Sequence, residues 1–310
     1  MNQPLGTPPA EVEIDARLVA ALVAAQHRDL AGLAVEAKPA ASGWDNVMYR
    51  LGPELAVRLP RRELGAQCIL VEQRWLPRLA SALPVATPAP IRVGVPGCGY
   101  PWPWSIVTWI PGVSASERPL RREEAAGWGR FLRSLHGIDL PPLPPSNPYR
   151  GQPLAARDEG FRERIGRLGR DAALELDAQA ALVSAWEAGL ASPVETEPCW
   201  LHGDLHPRNV ITDDGRLRGV IDWGDATAGD RSVDLASAWM LFEPAEHGPI
   251  WESYGHASPP RIVRARAWGA YFAVVMLDSG RVNDPGLEAV GRMIVDRLLA
   301  EGAARRTPHE

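Results

Sequence analysis

Apolar residues recur three or four positions apart in some stretches and alternate in others, and these two periods divide the chain into predicted helices and strands. Within residues 11–30, Ile14, Leu18, Leu22 and Val23 share one helical face, acidic residues come early and Gly32 follows the end, so an amphipathic helix is expected. Residues 33–37, 47–51 and 55–59 are short apolar runs parted by Ser42-Gly43-Trp44-Asp45-Asn46 and Gly52-Pro53, which predicts three strands. Residues 67–79 return to helical spacing through Ile69, Leu70, Leu76 and Leu79. A proline-rich extended connection at 84–90 leads to two further strands, 91–95 and 105–109, flanking Pro96-Gly97-Cys98-Gly99.

After Ile110-Pro111-Gly112 the pattern becomes predominantly helical. Residues 121–136 carry a stripe of Ala125, Trp128, Phe131, Leu132 and Leu135 that stops at Gly137. A loop dense in proline spans 140–153, and helices are expected at 154–168 and 178–190, with Ile165, Leu168, Leu182, Val183 and Trp186 apolar. Residues 235–242, 263–277 and 287–299 predict three more helices, and the tail from Glu301 is small, polar and expected to fray. No internal repeat interrupts this order.

Composition narrows the class. A chain of 310 residues with 45% hydrophobic and 23% charged content is an ordinary globular protein with room for one or two cores. A net charge of -5 and a pI near 5.9 argue against nucleic acid as partner, and nothing points to a membrane surface. Residues 1–10 lack the basic and apolar regions of a signal peptide, and no run reaches the roughly 18 apolar residues of a spanning helix, so a cytoplasmic location is expected. Cys68, Cys98 and Cys199 are widely spaced and odd in number, which suits buried, reduced thiols rather than a disulfide framework.

The candidate chemistry is concentrated in residues 199–236. His202-Gly203-Asp204-Leu205-His206-Pro207-Arg208-Asn209 fits H-x-D-L-x-x-x-N, and Val220-Ile221-Asp222-Trp223-Gly224-Asp225 contains D-x-G. Between them, two apolar runs flank Asp213-Asp214-Gly215 and predict a hairpin that brings Asn209 and Asp222 together. Phosphoryl transfer needs a positioned nucleophile and neutralised oxygens more than covalent help. One carboxylate as base and hard oxygen donors for magnesium therefore suffice: Asp204 for the first role, Asn209 and Asp222 for the second.

With H-G-D-L-H-P-x-N and I-D-W-x-D in place, the chain resembles the aminoglycoside phosphotransferase and small-molecule kinase family. That resemblance implies an α+β, two-lobed protein-kinase-like fold, with a small antiparallel-sheet lobe, a larger helical lobe and nucleotide in the cleft between them. It implies transfer of the γ-phosphate of ATP or GTP, with Mg2+, to a hydroxyl of a small molecule, an aminoglycoside- or macrolide-like antibiotic first. Ser42 and Gly43 then fall in the turn over the phosphates. Arg58 replaces the usual lysine of the phosphate clamp, Glu72 is its helical partner, and Thr108 C=O with Ile110 N–H faces the nucleobase from the linker between lobes, which sets the domains at 1–110 and 111–310. Arg58-Leu59-Pro60-Arg61-Arg62 is similar to the R-x-P-R-R of macrolide-kinase-like members. The helical pair at 154–190 would border the acceptor site.

Other readings compete at several positions. Arg58 could be a surface cation at a strand end and Glu72 an exposed helical acid; Trp102, Trp104 and Trp109 read as packing rather than base stacking. His202 and His206 flank Asp204 as in a metal cluster, but without a third ligand the metallohydrolase reading is poor. Asp225 could touch substrate or stabilise its loop, and Asp230 and Asp234 read as helix caps. Alternatively Asp225, Asp230, Asp234, Glu243 and Glu246 together make an acidic floor suited to an amine-bearing acceptor. The functional alternatives are a metabolite kinase, acting on a sugar, homoserine or choline-like amine, and a nucleotide-binding module without catalysis.

Overall fold

The alternating runs of the first hundred residues form one five-stranded antiparallel sheet. The computed structural model describes residues 6–194, 197–255 and 257–304, with Ser42, Ala303 and Ala304 described by their backbone alone. The chain divides into two units: Pro8–Gly112 with Arg218–Ala226, and Met1–Thr7 with Val113–Leu217 and Thr227–Glu310. Residues 218–226, which a single boundary after 110 would leave with the second part, thus group with the first.

The smaller unit opens with helix α1 (Ala16–Gln26), whose N-cap Asp15 accepts a hydrogen bond from Leu18 N. Strands β1 (Ala41–Ser42), β2 (Asn46–Leu51) and β3 (Leu55–Pro60) precede helix α2 (Glu63–Ala82), and β4 (Pro90–Gly94) and β5 (Trp104–Thr108) complete a sheet of order β1-β2-β3-β5-β4. The strand expected at 33–37 is reduced to a single bridge, Val35 with Leu51, and Lys38-Pro39 interrupts the pairing, which resumes at Ala40 and in β1. Val47, Tyr49, Leu51, Val57 and Leu59 bury one face of the hairpin against Val19, Leu22 and Val23 of α1. Side chains alternate along a strand, so Arg58, between Val57 and Leu59, must point to the opposite face, where α2 runs.

The larger unit is mostly helical. Strand β6 (Val113–Ser114) leads into α3 (Ala125–His136), α4 (Asp158–Arg170) and α5 (Leu176–Ala191). Strands β7 (Cys199–Leu201) and β8 (Val210–Asp213) follow, and β9 (Arg216–Val220) runs on into the smaller unit. The Asp214-Gly215 turn between β8 and β9 has both residues at positive φ, as a tight hairpin turn requires. Strand β10 (Thr227–Gly229) pairs with β7, and β6 pairs with β8. The helix expected at 235–242 is two short ones, α6 (Ser232–Leu235) and α7 (Ser237–Leu241), because Trp239 N bonds the carbonyl of Ala236, three residues back, and tightens the turn. Helix α8 (His247–Tyr254) was hidden by Gly248-Pro249; its signal is the Glu243/Glu246 capping box just before it.

Helices α9 (Pro259–Asn283) and α10 (Pro285–Ala304) close the unit. The expected fraying from Glu301 does not hold to Ala304, and residues 305–310 lie outside the described residues. Trp186 of α5 stacks between Phe161 of α4 and Tyr271 of α9, with ring centroids at 4.5 and 5.9 Å. Glycines let the backbones touch: a Cβ on Gly280 would meet Glu288 N at 2.2 Å, and one on Gly291 would meet Leu277 N at 2.5 Å. Among the described residues no helix is long and apolar enough to cross a membrane.

This packing makes opposite predictions for one substitution at two helical glycines. Gly166 of α4 has only the flexible end of Arg170 near a would-be Cβ, so Gly166→Ala should stabilise by about 0.5–1 kcal/mol through helix propensity. Gly291→Ala gains the same propensity but forces α9 and α10 apart and should lose a net of about 1–3 kcal/mol. Denaturant titration of both variants decides it: equal stabilisation would mean that the helices are not held at this distance.

Candidate active site

In the smaller unit the side chain that alternation turns toward α2 meets a carboxylate. Arg58 places Nε 2.8 Å from Glu72 Oε2 and Nη2 3.0 Å from Glu72 Oε1, a forked pair, and the same Nη2 lies 2.5 Å from Asp222 Oδ1. Arg58 is 8% and Glu72 4% exposed, so neither is the surface residue that its neighbours in sequence would allow. Burial opposes charging Arg58, but Glu72 and Asp222 outweigh it and hold the guanidinium above its usual pKa. Asp222 sits at φ 62° and ψ 63°, a left-handed conformation rare outside glycine, and its side chain remains half-exposed. Gly224 completes D-x-G because a Cβ there would lie 2.7 Å from that of Cys68 on α2.

The turn at 42–46 uses its own polar groups. Gly43 N donates to Asn46 O at 2.9 Å, and Gly43 O accepts from Arg61 Nη1 at 2.7 Å. Asp45 O accepts from Arg61 N at 2.7 Å, and its carboxylate faces Arg62 Nε at 3.2 Å. Arg61 and Arg62 therefore brace the turn. At the other end of the sheet, Trp109 N donates to Glu54 O at 2.8 Å. Peptide groups alternate along an extended chain, so Thr108 C=O and Ile110 N–H face away from β3, beyond the last β4–β5 pair at Pro90 and Val107. Trp104 is buried in the core and Trp109 lies under the Arg50 guanidinium, 4.5 Å from its ring centroid, so both pack.

In the larger unit β7 delivers the catalytic-type loop. Gly203 takes φ 86°, and the amides of His202 and Gly203 both donate to the buried carboxylate of Asp234, each at 2.8 Å. Asp234 is thus no helix cap. It lies within α6 and clamps the loop, with His136 Nε2 3.4 Å from the same carboxylate and His136 Nδ1 2.9 Å from Tyr254 Oη. His202 Nδ1 accepts from Asp204 N at 3.3 Å, a contact within the loop that holds its shape. Asp204 then presents one carboxylate oxygen 3.0 Å from Arg150 Nη2 and the other 3.5 Å from His206 Nε2. Burial alone would raise its pKa; Arg150 and His206 overcome that and hold it well below the usual carboxylate range, so the group is ionised.

Asn209 is anchored by its amide nitrogen, which donates to Asp204 O at 3.0 Å and leaves the amide oxygen out of that bond. Among the described residues no group of three or more His, Cys, Asp or Glu could hold a metal ion.

The acidic floor expected after Asp222 does not exist. Asp230 pairs with Arg264 at 2.7 Å, Asp234 holds the loop amides, Glu243 pairs with Arg297 at 2.8 Å, and Glu243 and Glu246 form the capping box. Asp225, in the smaller unit, adds negative charge beside Asp45 and Cys68; burial, first, and these acids push the Cys68 thiol far up. Cys199 is buried and Cys68 half-buried, but Cys98 is exposed, contrary to expectation. Within one unit the structure thus unites Arg58, Glu72 and Asp222, and within the other Asp204 and Asn209. Sequence reasoning missed Arg150, 54 positions from Asp204 in a proline-rich loop with no recognisable motif. It misassigned Asp234, whose only signal was an aspartate closely following D-x-G.

Comparison with known proteins agrees with this architecture. The chain is 28% identical over 175 residues to an aminoglycoside 3'-phosphotransferase of Streptomyces fradiae, 49% of this chain and 61% of that protein. It spans between 30% and 61% of the length of the curated relatives it matches. Among solved structures, the GDP complex of aminoglycoside 2'-phosphotransferase-IIIa superposes with a TM-score of 0.69 at 17% identity, covering 93% of this chain and all of the other. A macrolide 2'-phosphotransferase from Brachybacterium faecium gives 0.56 at 22% identity, covering 94% and 99%. The fold is therefore the protein-kinase-like one of these enzymes. The phosphotransferase enzyme family profile matches residues 36–270, more than half of the chain, and the loop, the D-x-G turn and the Arg58–Glu72 pair all fall inside that span: this chain belongs to the phosphotransferase enzyme family.

Proposed function

We propose that this protein transfers the γ-phosphate of ATP or GTP to a hydroxyl of a small molecule, with an aminoglycoside- or macrolide-like antibiotic as the first acceptor class. The observation that carries the reading is Asp204, a carboxylate kept ionised at the tip of a loop whose two preceding amides are pinned by Asp234. A binding module has no use for such a base. Family membership, and relatives named as aminoglycoside and macrolide phosphotransferases, support the same conclusion.

In this reading the acceptor hydroxyl donates to Asp204, its oxygen attacks the γ-phosphorus, and the bond to the bridging oxygen breaks as the nucleoside diphosphate leaves. The hydroxyl proton passes to the Asp204 carboxylate. Arg58, its Nε and Nη2 held by Glu72, offers its positive charge to phosphate oxygens from that fixed position, and Thr108 C=O and Ile110 N–H take the base edge. Magnesium, when bound, would neutralise phosphate charge, with Asn209 and Asp222 as its protein donors. Ser42 and Gly43 cover the phosphates by their turn's position rather than by the Gly43 amide, which Asn46 occupies.

Asp204→Ala and Asp222→Ala should each lower turnover by about three orders of magnitude or more. Calorimetry should separate them: Asp204→Ala keeps magnesium-dependent nucleotide binding and Asp222→Ala loses the dependence. Substantial activity in Asp204→Ala would remove the base assignment.

Arg58→Ala should raise the nucleotide KM, cut kcat and cost about 3–5 kcal/mol of stability, because Glu72 is left buried without its partner. Arg58→Lys keeps charge and loses the fork, so it should fall between. Wild-type kinetics in Arg58→Ala would assign the phosphates to backbone amides.

Asp234→Asn should lower kcat while leaving nucleotide KM near wild type, since the carboxylate holds the loop without lying in the nucleotide-binding unit. A change in nucleotide KM alone would contradict the clamp role.

A further inference from the structure

The support behind the His202 and Gly203 amides does not end at Tyr254. A side-chain hydrogen bond joins Tyr254 to Arg231, the residue before α6, and Arg231 lines a cavity of about 480 Å3 together with Gly255, Ala257, Ser258 and Arg261. That volume is in the range of small-molecule sites. Helix α8 ends there with Gly255 at φ 80°, and α9 begins with Ser258 as an N-cap whose hydroxyl bonds none of the helix amides.

The lining is cationic. Its described residues carry two guanidiniums and one hydroxyl and no carboxylate. A third guanidinium stands at the rim, since a Cβ on Gly255 would lie 3.6 Å from Arg133 Nη1 of α3. Arg231 and Arg261 also act on the same two buried groups: burial pushes the Tyr254 phenol up to about 12 and raises the Cys199 thiol, and both arginines pull against it in each case. The two charges therefore converge on one place from separate elements, and the positive end of α9 adds to them. Like charges gathered in one half-buried place attract an anion. A guanidinium only donates, so the complement is an oxyanion. A carboxylate offers two oxygens in one plane and suits a single fork. A phosphate group carries about two charges and presents three oxygens, so guanidiniums from separate elements can each take one.

We propose that this cavity binds a phosphate group, free or on a small organic molecule, and that its occupation steadies the catalytic-type loop. The route is a run of hydrogen bonds inside the larger unit. Arg231 donates to Tyr254 Oη, which lies 2.9 Å from His136 Nδ1; His136 Nε2 lies 3.4 Å from Asp234 Oδ2, and Asp234 receives the two loop amides. An anion that fixes the plane of Arg231 takes motion out of the first link, and linked hydrogen bonds share the gain. The site goes beyond phosphotransfer and does not depend on that reading, because binding and loop order are both measured without turnover.

The test titrates the full chain with inorganic phosphate and with glycerol phosphate by calorimetry, at an ionic strength held constant with chloride. Both should bind saturably. R231Q and R261E should each weaken binding about tenfold or more; R261K, which keeps the charge and loses the fork, should fall between and guards against loss of folding in the others. Tighter binding of the ester would name an organic phosphate as the occupant, equal or weaker binding the free ion, and either sustains the site. Amide hydrogen exchange read by mass spectrometry follows the loop. Phosphate should slow exchange in the peptide carrying His202 and Gly203 about fivefold or more, and Y254F should keep phosphate binding while losing that slowing. No saturable binding, affinity unmoved in R261E, which would put the anion elsewhere, or wild-type loop exchange that ignores phosphate would each overturn the proposal. Slowing that persists in Y254F would overturn the route.

Discussion

Two backbone amides donating to one buried carboxylate hold the whole catalytic-type loop. Hydrogen bonds to a charged acceptor contribute about 1.5–3 kcal/mol each, and a buried carboxylate left without them would be strongly destabilising, so Asp234 and the His202-Gly203 backbone are mutually obligatory. Everything downstream inherits that geometry. Gly203 can turn at positive φ because its amide has a fixed target, the turn aims Asp204, and Asp204 O fixes Asn209. His136 and Tyr254 extend the support into α3 and α8, so two helices back the loop beside its own internal hydrogen bonds.

The smaller unit has a comparable arrangement in Arg58, Glu72 and Asp222. A buried ion pair gains little over apolar packing, since desolvation offsets most of the attraction. Its value here is directional: the fork fixes the guanidinium plane, and the αL conformation of Asp222 presents the carboxylate to it.

Local chemistry made much of this legible. Period-2 alternation in 47–51 and 55–59 located β2 and β3, and so assigned Arg58 to the face opposite Val57 and Leu59. The spacing of Asp204 and Asn209 located the loop because that motif is short-range. What stayed hidden was set by distant contacts. Asp234 looks like a cap because an aspartate near a helix start usually is one, and its true partners lie more than thirty residues away. The supposed acidic floor failed for the same reason: a carboxylate's partner is a tertiary fact, and Arg264 and Arg297 are 34 and 54 positions from theirs. Residues 33–37 have a strand's composition, but a sheet edge recruits only as much chain as its neighbours can pair.

The guanidinium at position 58 also restricts how this enzyme can be addressed chemically. A lysine in that place could shed its proton in a dry site, be acetylated, or be trapped by reagents that acylate amines next to bound phosphates. Arginine does none of these, and the chain carries a single lysine, Lys38, well apart from the loop and the D-x-G turn in sequence. Reagents aimed at an amine in that place would find none, and the charge beside Glu72 is permanent, indifferent to pH and to acetyl donors alike.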